Sequence, residues 1–133
     1  MPAISGFAQK QMINYSLGLG APTAVGTCGV GLSLASPTSV SGTEVASASG
    51  VTRKTAIFST CVLNQSFATL ATAITFSPLS AAMSISGIHI WDTIGVAADA
   101  GNMMWYGLLT APKTVASGDS LVIASGALTV SLV

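Results

Sequence analysis

The chain has 133 residues, half of them hydrophobic and only 6% charged, and its formal net charge at pH 7 is zero. This length fits one domain with its own core and is short for two, whereas an ordinary soluble domain has about 25% charged residues and a net charge away from zero. Two explanations stay open, a neutral surface rich in Ser, Thr and Gly, or a surface covered by copies of the chain or by a large partner. We favour the second, because obligate interfaces are apolar and poor in charge.

Composition also bears on possible partners and on the two cysteines. The four basic residues are too few and too scattered for a nucleic-acid-binding stripe, and no stretch supplies the roughly 20 mainly apolar residues of a membrane-spanning helix. The N-terminus lacks the basic region of a secretory signal, so export is not indicated. We therefore expect no nucleic-acid or membrane partner, and we expect Cys28 and Cys61 to be buried thiols rather than a disulfide.

The first predicted element is a helix at about residues 4–18. Ser5 can cap its N-terminus, and Gly18 or Gly20 can end it in a left-handed conformation. Spacings of three and four residues give one apolar stripe. The stripe consists of Phe7, Ala8, Met12, Tyr15 and Leu19. Such a stripe must pack on something, and the sequence leaves open whether this is the domain's own sheet or a neighbouring subunit.

From Thr27 onward the pattern changes to short alternating runs separated by turn residues. Residues 36–50, rich in Ser, Thr and Gly, are predicted to form a long surface loop. The predicted strands are CGVGLSLAS, VTRKTAIFS, LATAITF, ISGIHIWDT, MMWYGLL, SLVIAS and ALTVSLV. Short strands at these intervals favour a β-sandwich or a barrel. We predict a mainly β fold, a jelly-roll-like antiparallel β-sandwich with one N-terminal α-helix, in a single domain over residues 1–133.

Two local patterns carry more specific predictions. KTVASGD, residues 113–119, is predicted to be a hairpin in which Gly118 takes a positive φ. Gly107, after an aromatic pair, indicates a bulge or a place where another backbone approaches closely.

The stretch GIHIWDT, residues 87–93, contains the only histidine close to an aspartate and so raises the question of catalysis. In a strand, successive side chains point to opposite faces. Ile88 and Ile90 then share one face with Asp92. His89 and Trp91 share the other face. His89 and Asp92 would therefore not form the hydrogen-bonded pair of a base and its orienting acid, and we predict packing or an interface here instead.

Other chemistries lack their residues as well. One His, two separated Cys and four acids make no metal site, and the G-x-S-x-G and G-x-G-x-x-G motifs are missing. Four acids also make the paired carboxylates of a glycosidase improbable. We interpret Arg53 and Lys54 as a solvated strand end or as an ion-pair partner for Glu44. We favour both interpretations over an anion-binding site. We expect no enzyme, and no catalytic residue, metal or cofactor.

The last third of the chain, GNMMWYGLLTAPKTVASGDSLVIASGALTVSLV, resembles the C-terminal portion of small tailed-bacteriophage virion proteins. The shared features are Trp105-Tyr106-Gly107, Leu109-Thr110, Lys113-Thr114-Val115, Gly118-Asp119 and Gly126-Ala127-Leu128-Thr129-Val130. Upstream, Gly87 to Asp92 is similar to a Gly-Ile-aromatic-Asp strand of that family, and Thr52 to Phe58 to its strand with a basic start. Members are labelled tail-fibre, minor structural or head-decoration proteins.

The resemblance implies a structural virion protein, most concretely a capsid decoration (cement) protein. It would be a homotrimer on the outer surface of the capsid that bridges and stabilises major capsid protein subunits. The alternative is a phage tail-fibre or minor tail structural protein, or a glycan- or receptor-binding module that stacks Trp91 or Trp105 on a sugar. Aromatic residues dominate such interfaces. The expected core or oligomer contacts are Phe7, Met12, Tyr15, Trp91, Trp105 and Tyr106.

Overall fold

The computed structural model describes residues 3–21, 25–38, 44–45, 51–62, 66–94 and 101–132. Its elements are β1 (Ala3–Ile4), α1 (Gly6–Ser16), β2 (Cys28–Ser33), β3 (Lys54–Ala56), β4 (Phe67–Thr69), β5 (Ile74–Phe76), β6 (Met83–Trp91), β7 (Met103–Val115), β8 (Leu121–Ile123) and β9 (Thr129–Ser131). Every pair of these strands is antiparallel. The fold is mainly β with one N-terminal helix, as the sequence predicts.

The strands form a five-stranded sheet in the order β1-β7-β6-β2-β3 and two separate ladders, β4–β9 and β5–β8. The core lies where one face of the large sheet meets the ladders. Its largest fully buried apolar side chains are Phe76, Leu32, Leu70, Leu79, Ile85 and Val30. This two-layer arrangement agrees with a sandwich, while the jelly-roll order of strands stays a prediction.

The helix begins at the predicted cap. The Ser5 hydroxyl accepts a hydrogen bond from the Ala8 N–H at 3.2 Å and donates one to the Met103 carbonyl of β7. The helix starts at residue 6 rather than at about residue 4, because Ala3 and Ile4 pair with β7 as a short strand. The sequence analysis did not identify that strand.

The end of the helix is a Schellman motif. Leu19 N–H donates to the Asn14 carbonyl at 2.8 Å, and Gly18 N–H donates to the Tyr15 carbonyl at 3.1 Å. Gly18 has a φ of +70°, the left-handed conformation that glycine adopts most readily. The helix therefore ends at Ser16, two residues earlier than predicted, and Gly18, the first of the two candidate glycines, forms its terminating turn.

The predicted hairpin at residues 113–119 is wrong in its pairing. Gly118 does form the turn, with a φ of +87°, but the following strand β8 pairs with β5 and not with β7. The turn is tied to the loop before β6, since Gly118 N–H donates to the Leu79 carbonyl and Leu79 N–H donates to the Asp119 carbonyl. KTVASGD is thus a corner that carries the chain from the large sheet to the opposite layer.

The pairing of β6 with β7 contains a large bulge. Ile85 faces Lys113 while Gly87 faces Leu108, so extra residues of β7 protrude between these pairs. A Cβ atom added to Gly87 would lie 2.7 Å from the Gly107 carbonyl oxygen. The close approach therefore requires a glycine at position 87, while the predicted need for a glycine at position 107 stays a prediction.

The predicted surface loop at residues 36–50 lies mostly outside the described residues. In its described part, Glu44 bridges to Ser33, and Val45 is buried with its N–H bonded to the Leu32 carbonyl. Surface exposure is therefore the wrong prediction for these two residues, because they extend the pairing of β2.

Candidate interaction surfaces

His89 and Trp91 lie on the face of β6 opposite the core residues Ile88 and Ile90, as the alternation predicts. His89 is completely buried, and its ring meets the Trp91 ring edge-on with centroids 6.0 Å apart. Asp92 is engaged elsewhere, because its two carboxylate oxygens accept hydrogen bonds from the backbone and side-chain amides of Asn102, each at 2.7 Å. The arrangement of GIHIWDT is one of packing.

Arg53 completes this buried cluster. Its guanidinium donates two hydrogen bonds to the Glu44 carboxylate, both at 2.7 Å, and a third to the Thr93 hydroxyl at 2.9 Å. The same group lies 3.7 Å from the centre of the Trp91 ring. The predicted ion pair with Glu44 is confirmed for Arg53, whereas the alternative of a solvated strand end is wrong for this residue, which is buried. Since Nε, Nη1 and Nη2 all donate within the protein, an anion site at Arg53 is not supported.

The GVG sequence of β2 explains why this cluster fits against a strand. A Cβ atom at Gly31 would fall on Oε1 of Glu44, and one at Gly29 would fall on the Thr93 backbone oxygen. The alternating glycines leave one face of β2 open, and polar groups from two other segments occupy it. The sequence analysis identified these residues as strand glycines without the cluster they accommodate.

Neither cysteine forms a disulfide. Cys28 is half-buried, and burial, followed by the nearby Asp92 charge, raises the pKa of its thiol. Cys61 is exposed, so the prediction of two buried thiols is wrong for Cys61, which lies beyond the end of β3 near the surface. Within the described ranges, no three His, Cys, Asp or Glu residues are grouped as metal ligands would be. No described helix has the length and apolar character needed to cross a membrane.

The predicted apolar stripe of α1 is only partly covered. Ala8 is buried against the sheet, whereas Met12, Tyr15 and Leu19 are exposed. A cavity of about 190 Å³ lies between the helix and β7. Its lining includes Ile4, Phe7, Met12, Tyr15, Met104 and Trp105. The helix thus packs on its own sheet through its first turns and leaves apolar side chains without cover beyond them.

A second cavity, of about 350 Å³, lies between the large sheet and the β4–β9 ladder. Its lining includes Phe58, Cys61, Phe67, Trp105, Val130 and Leu132. Met104 and Trp105 line both cavities, so the two are neighbours that share these residues as a wall. We refer to these two cavities, together with the exposed helix end formed by Tyr15, Leu17 and Leu19, as the apolar flank.

The structure brings four of the six predicted contact residues to the apolar flank. These are Phe7, Met12, Tyr15 and Trp105. Tyr106 is half-buried and pairs across the sheet with His89. Trp91 is buried beneath Arg53, so it belongs to the interior. The sequence analysis did not identify the exposed Leu17 or the cavity residues of β4 and β9. No local sequence pattern indicates where a cavity remains between two layers.

Comparison with known proteins gives one family. A family model described as "Podophage GP4 fiber I protein gp80" matches residues 3–131, a range that contains every helix and strand of the fold. No curated protein matches the chain.

Proposed function

The chain belongs to the podophage GP4 fiber I protein gp80 family, and we propose that it is a subunit of a tail fibre in a phage virion. The observation that carries the proposal is the family match over residues 3–131, which makes the chain a structural protein of a bacteriophage. The description of the family as a fibre protein favours the tail over the capsid shell.

The surface chemistry supports a protein that works in an assembly. Of eight charged residues in the chain, Arg53 and Glu44 neutralise each other in the interior. The apolar flank adds the exposed hydrophobic side chains of Tyr15, Leu17 and Leu19. A permanently assembled subunit tolerates such a surface, because its apolar parts are covered by neighbours. We include self-association, with a homotrimer as the favoured state, in the proposal.

Capsid decoration is the second candidate. The chain shows no repeat of fixed period from which a long shaft would be built, and its strands belong to a short two-layer fold. Such a domain would also suit a cement protein that bridges major capsid protein subunits on the outer surface of the shell.

A glycan-binding role has less support. Trp91 is only 5% exposed and lies under Arg53, so its ring offers no face for a sugar. Trp105 is half-buried in the wall of the two cavities. Of the two tryptophans, only Trp105 has a ring that a sugar could reach.

Copy number per virion tests the proposal. Quantitative mass spectrometry of purified particles would compare the chain with the major capsid protein and with the portal protein as an internal standard of the tail. A few copies per portal ring are expected for a fibre. A ratio near unity to the major capsid protein, or a simple large fraction of it, would replace the fibre by the decoration role. Absence from washed particles would contradict both.

A further inference from the structure

We propose that a cleft beside β7 binds an extended peptide segment of another polypeptide, which pairs as a strand with the edge of β7. The inference goes beyond the proposed function, because it names the chemistry of a partner. Its test needs only the purified protein, so its failure would leave the position of the chain in the virion untouched.

The cleft is a cavity of about 590 Å³, which we call the seam. It is lined by β7 between residues 107 and 113, by β8 and β9, and by the core residues Leu32, Ile85 and Ile88. Among the described strands, β1 pairs with β7 only at residues 105–106, β8 pairs with β5 alone, and β9 pairs with β4 alone. The seam is thus bordered by three strands that each have an unpaired edge.

The hydrogen-bond pattern shows which backbone groups point to these edges. Successive residues of an antiparallel strand direct their N–H and C=O groups to opposite sides. The Met104 carbonyl bonds toward the β1 side, so the alternation directs the N–H and C=O of Leu108 to the same side, beyond the end of β1. The Leu128 carbonyl bonds to the segment that follows β4, so the groups of Thr129 point away from β4. Leu108 and Thr129 both line the seam.

Unpaired strand edges beside apolar core residues select an extended peptide as the partner. A strand offers N–H and C=O groups to its neighbour and directs alternate side chains to one face. It therefore bonds to the edge of β7 and buries apolar side chains against Ile85 and Ile88 at once. A small apolar molecule, or the apolar face of a helix, would cover the edge groups without bonding to them, and buried unbonded backbone groups are costly.

Pro112 and Lys113 limit the length of this pairing. Proline has no N–H to donate, and lysine and proline are the residues that commonly protect exposed strand edges. Among the described residues that line the seam, Lys113 is the only charged one. Pairing is therefore confined to residues 107–111. At about 3.4 Å per residue, this edge accommodates a segment of about five residues.

A labelled peptide with the sequence ALTVSL, residues 127–132, is a suitable probe because its apolar residues alternate without a break. The control peptide has the same side chains and an N-methyl group on every backbone amide, so it cannot donate to an edge. Fluorescence anisotropy with the full chain at about 1 µM to about 1 mM covers weak to moderate dissociation constants. We expect saturable binding of the first peptide and binding at least about tenfold weaker for the methylated one.

Two substitutions at one position test the edge itself. Leu108 is 56% exposed, and Leu108→Pro removes an N–H that points out of the sheet, where proline is tolerated. Leu108→Ala is the matched control, since it shortens the side chain and keeps the N–H. Circular dichroism and thermal unfolding establish that both variants fold. Leu108→Pro should raise the dissociation constant at least about tenfold, whereas Leu108→Ala should change it less than about threefold.

Amide hydrogen exchange locates the bound peptide in the unmodified chain. Exchange at Leu108 should slow when the peptide is added, while exchange in α1 should not change. Three results would each overturn the proposal. They are no saturable binding up to about 1 mM, equal binding of the two peptides, and slower exchange at the helix end in place of the seam. Equal binding would mean that the peptide adsorbs through its apolar side chains without forming a strand.

Discussion

At Arg53 a full positive charge lies in the interior, where an unpaired ion would be very costly. Two hydrogen bonds to the Glu44 carboxylate, a third to the Thr93 hydroxyl, and the face of the Trp91 ring stabilise the buried guanidinium. The Glu44 contact was one of three interpretations that the sequence allowed, because Glu44 and Arg53 are separated by a loop whose path the sequence does not determine. The glycines of β2 are the local signal of the cluster, since they leave the space that Glu44 occupies.

The energetic role of this ion pair can be measured by removing one partner and then both. Glu44→Leu alone should lower the free energy of unfolding by about 3–5 kcal/mol, because the buried guanidinium loses its carboxylate. Glu44→Leu with Arg53→Met should recover most of that loss, since apolar groups of similar volume replace both charges. Urea denaturation followed by tryptophan fluorescence provides both values. A double variant as unstable as the single one would show that packing, not charge, sets the cost.

At the scale of the elements, periodicity predicted the type of the longer segments, but not what they pair with. The alternation of GIHIWDT gave the two faces of β6 correctly, because one face is core and the other is the buried cluster. The partner of β8 could not be predicted, since turn chemistry at Gly118 is the same for a hairpin and for a corner between layers. The two-residue β1 and the three-residue β4 are too short to show a period. The apolar stripe of the helix was predicted from the sequence. Whether other residues cover that stripe depends on the path of β7, which the sequence does not show.

The Ser5 hydroxyl at the start of α1 serves two elements, the helix and β7. Ser5→Ala should lower the free energy of unfolding by about 1–2 kcal/mol, because the Ala8 N–H loses its cap and the Met103 carbonyl loses a donor. Ser16→Ala is the control, since the Ser16 hydroxyl is exposed and bonds only within the helix, to the Ile13 carbonyl. Thermal unfolding of the two variants side by side makes the comparison. Equal losses would mean that the cap does not hold the helix to the sheet.

At the scale of the whole molecule, low charge links the composition, the exposed surface and the family. Composition alone predicted a covered surface, yet it gave no location for the contact, because apolar residues are spread along the entire chain. The fold supplies a candidate location, since the cavity beside the β4–β9 ladder and the cavity beside α1 are both lined by Met104 and Trp105. A structural protein of a phage particle is a consistent role for such a molecule. The candidate site is thus an outcome of tertiary packing, which no motif in the sequence encodes.

The same lack of charge predicts how the proposed self-association responds to salt. Sodium chloride screens contacts between charges, with a Debye length that falls from about 10 Å at 0.1 M to about 3 Å at 1 M, whereas sulfate strengthens apolar contacts. Because the lining of the apolar flank contains no charged side chain, raising sodium chloride from about 0.1 M to about 1 M should change the dissociation constant less than about threefold. Sulfate at equal ionic strength should tighten the association. Sedimentation in both salts measures this, and dissociation by sodium chloride would mean that ion pairs outside the flank hold the copies together.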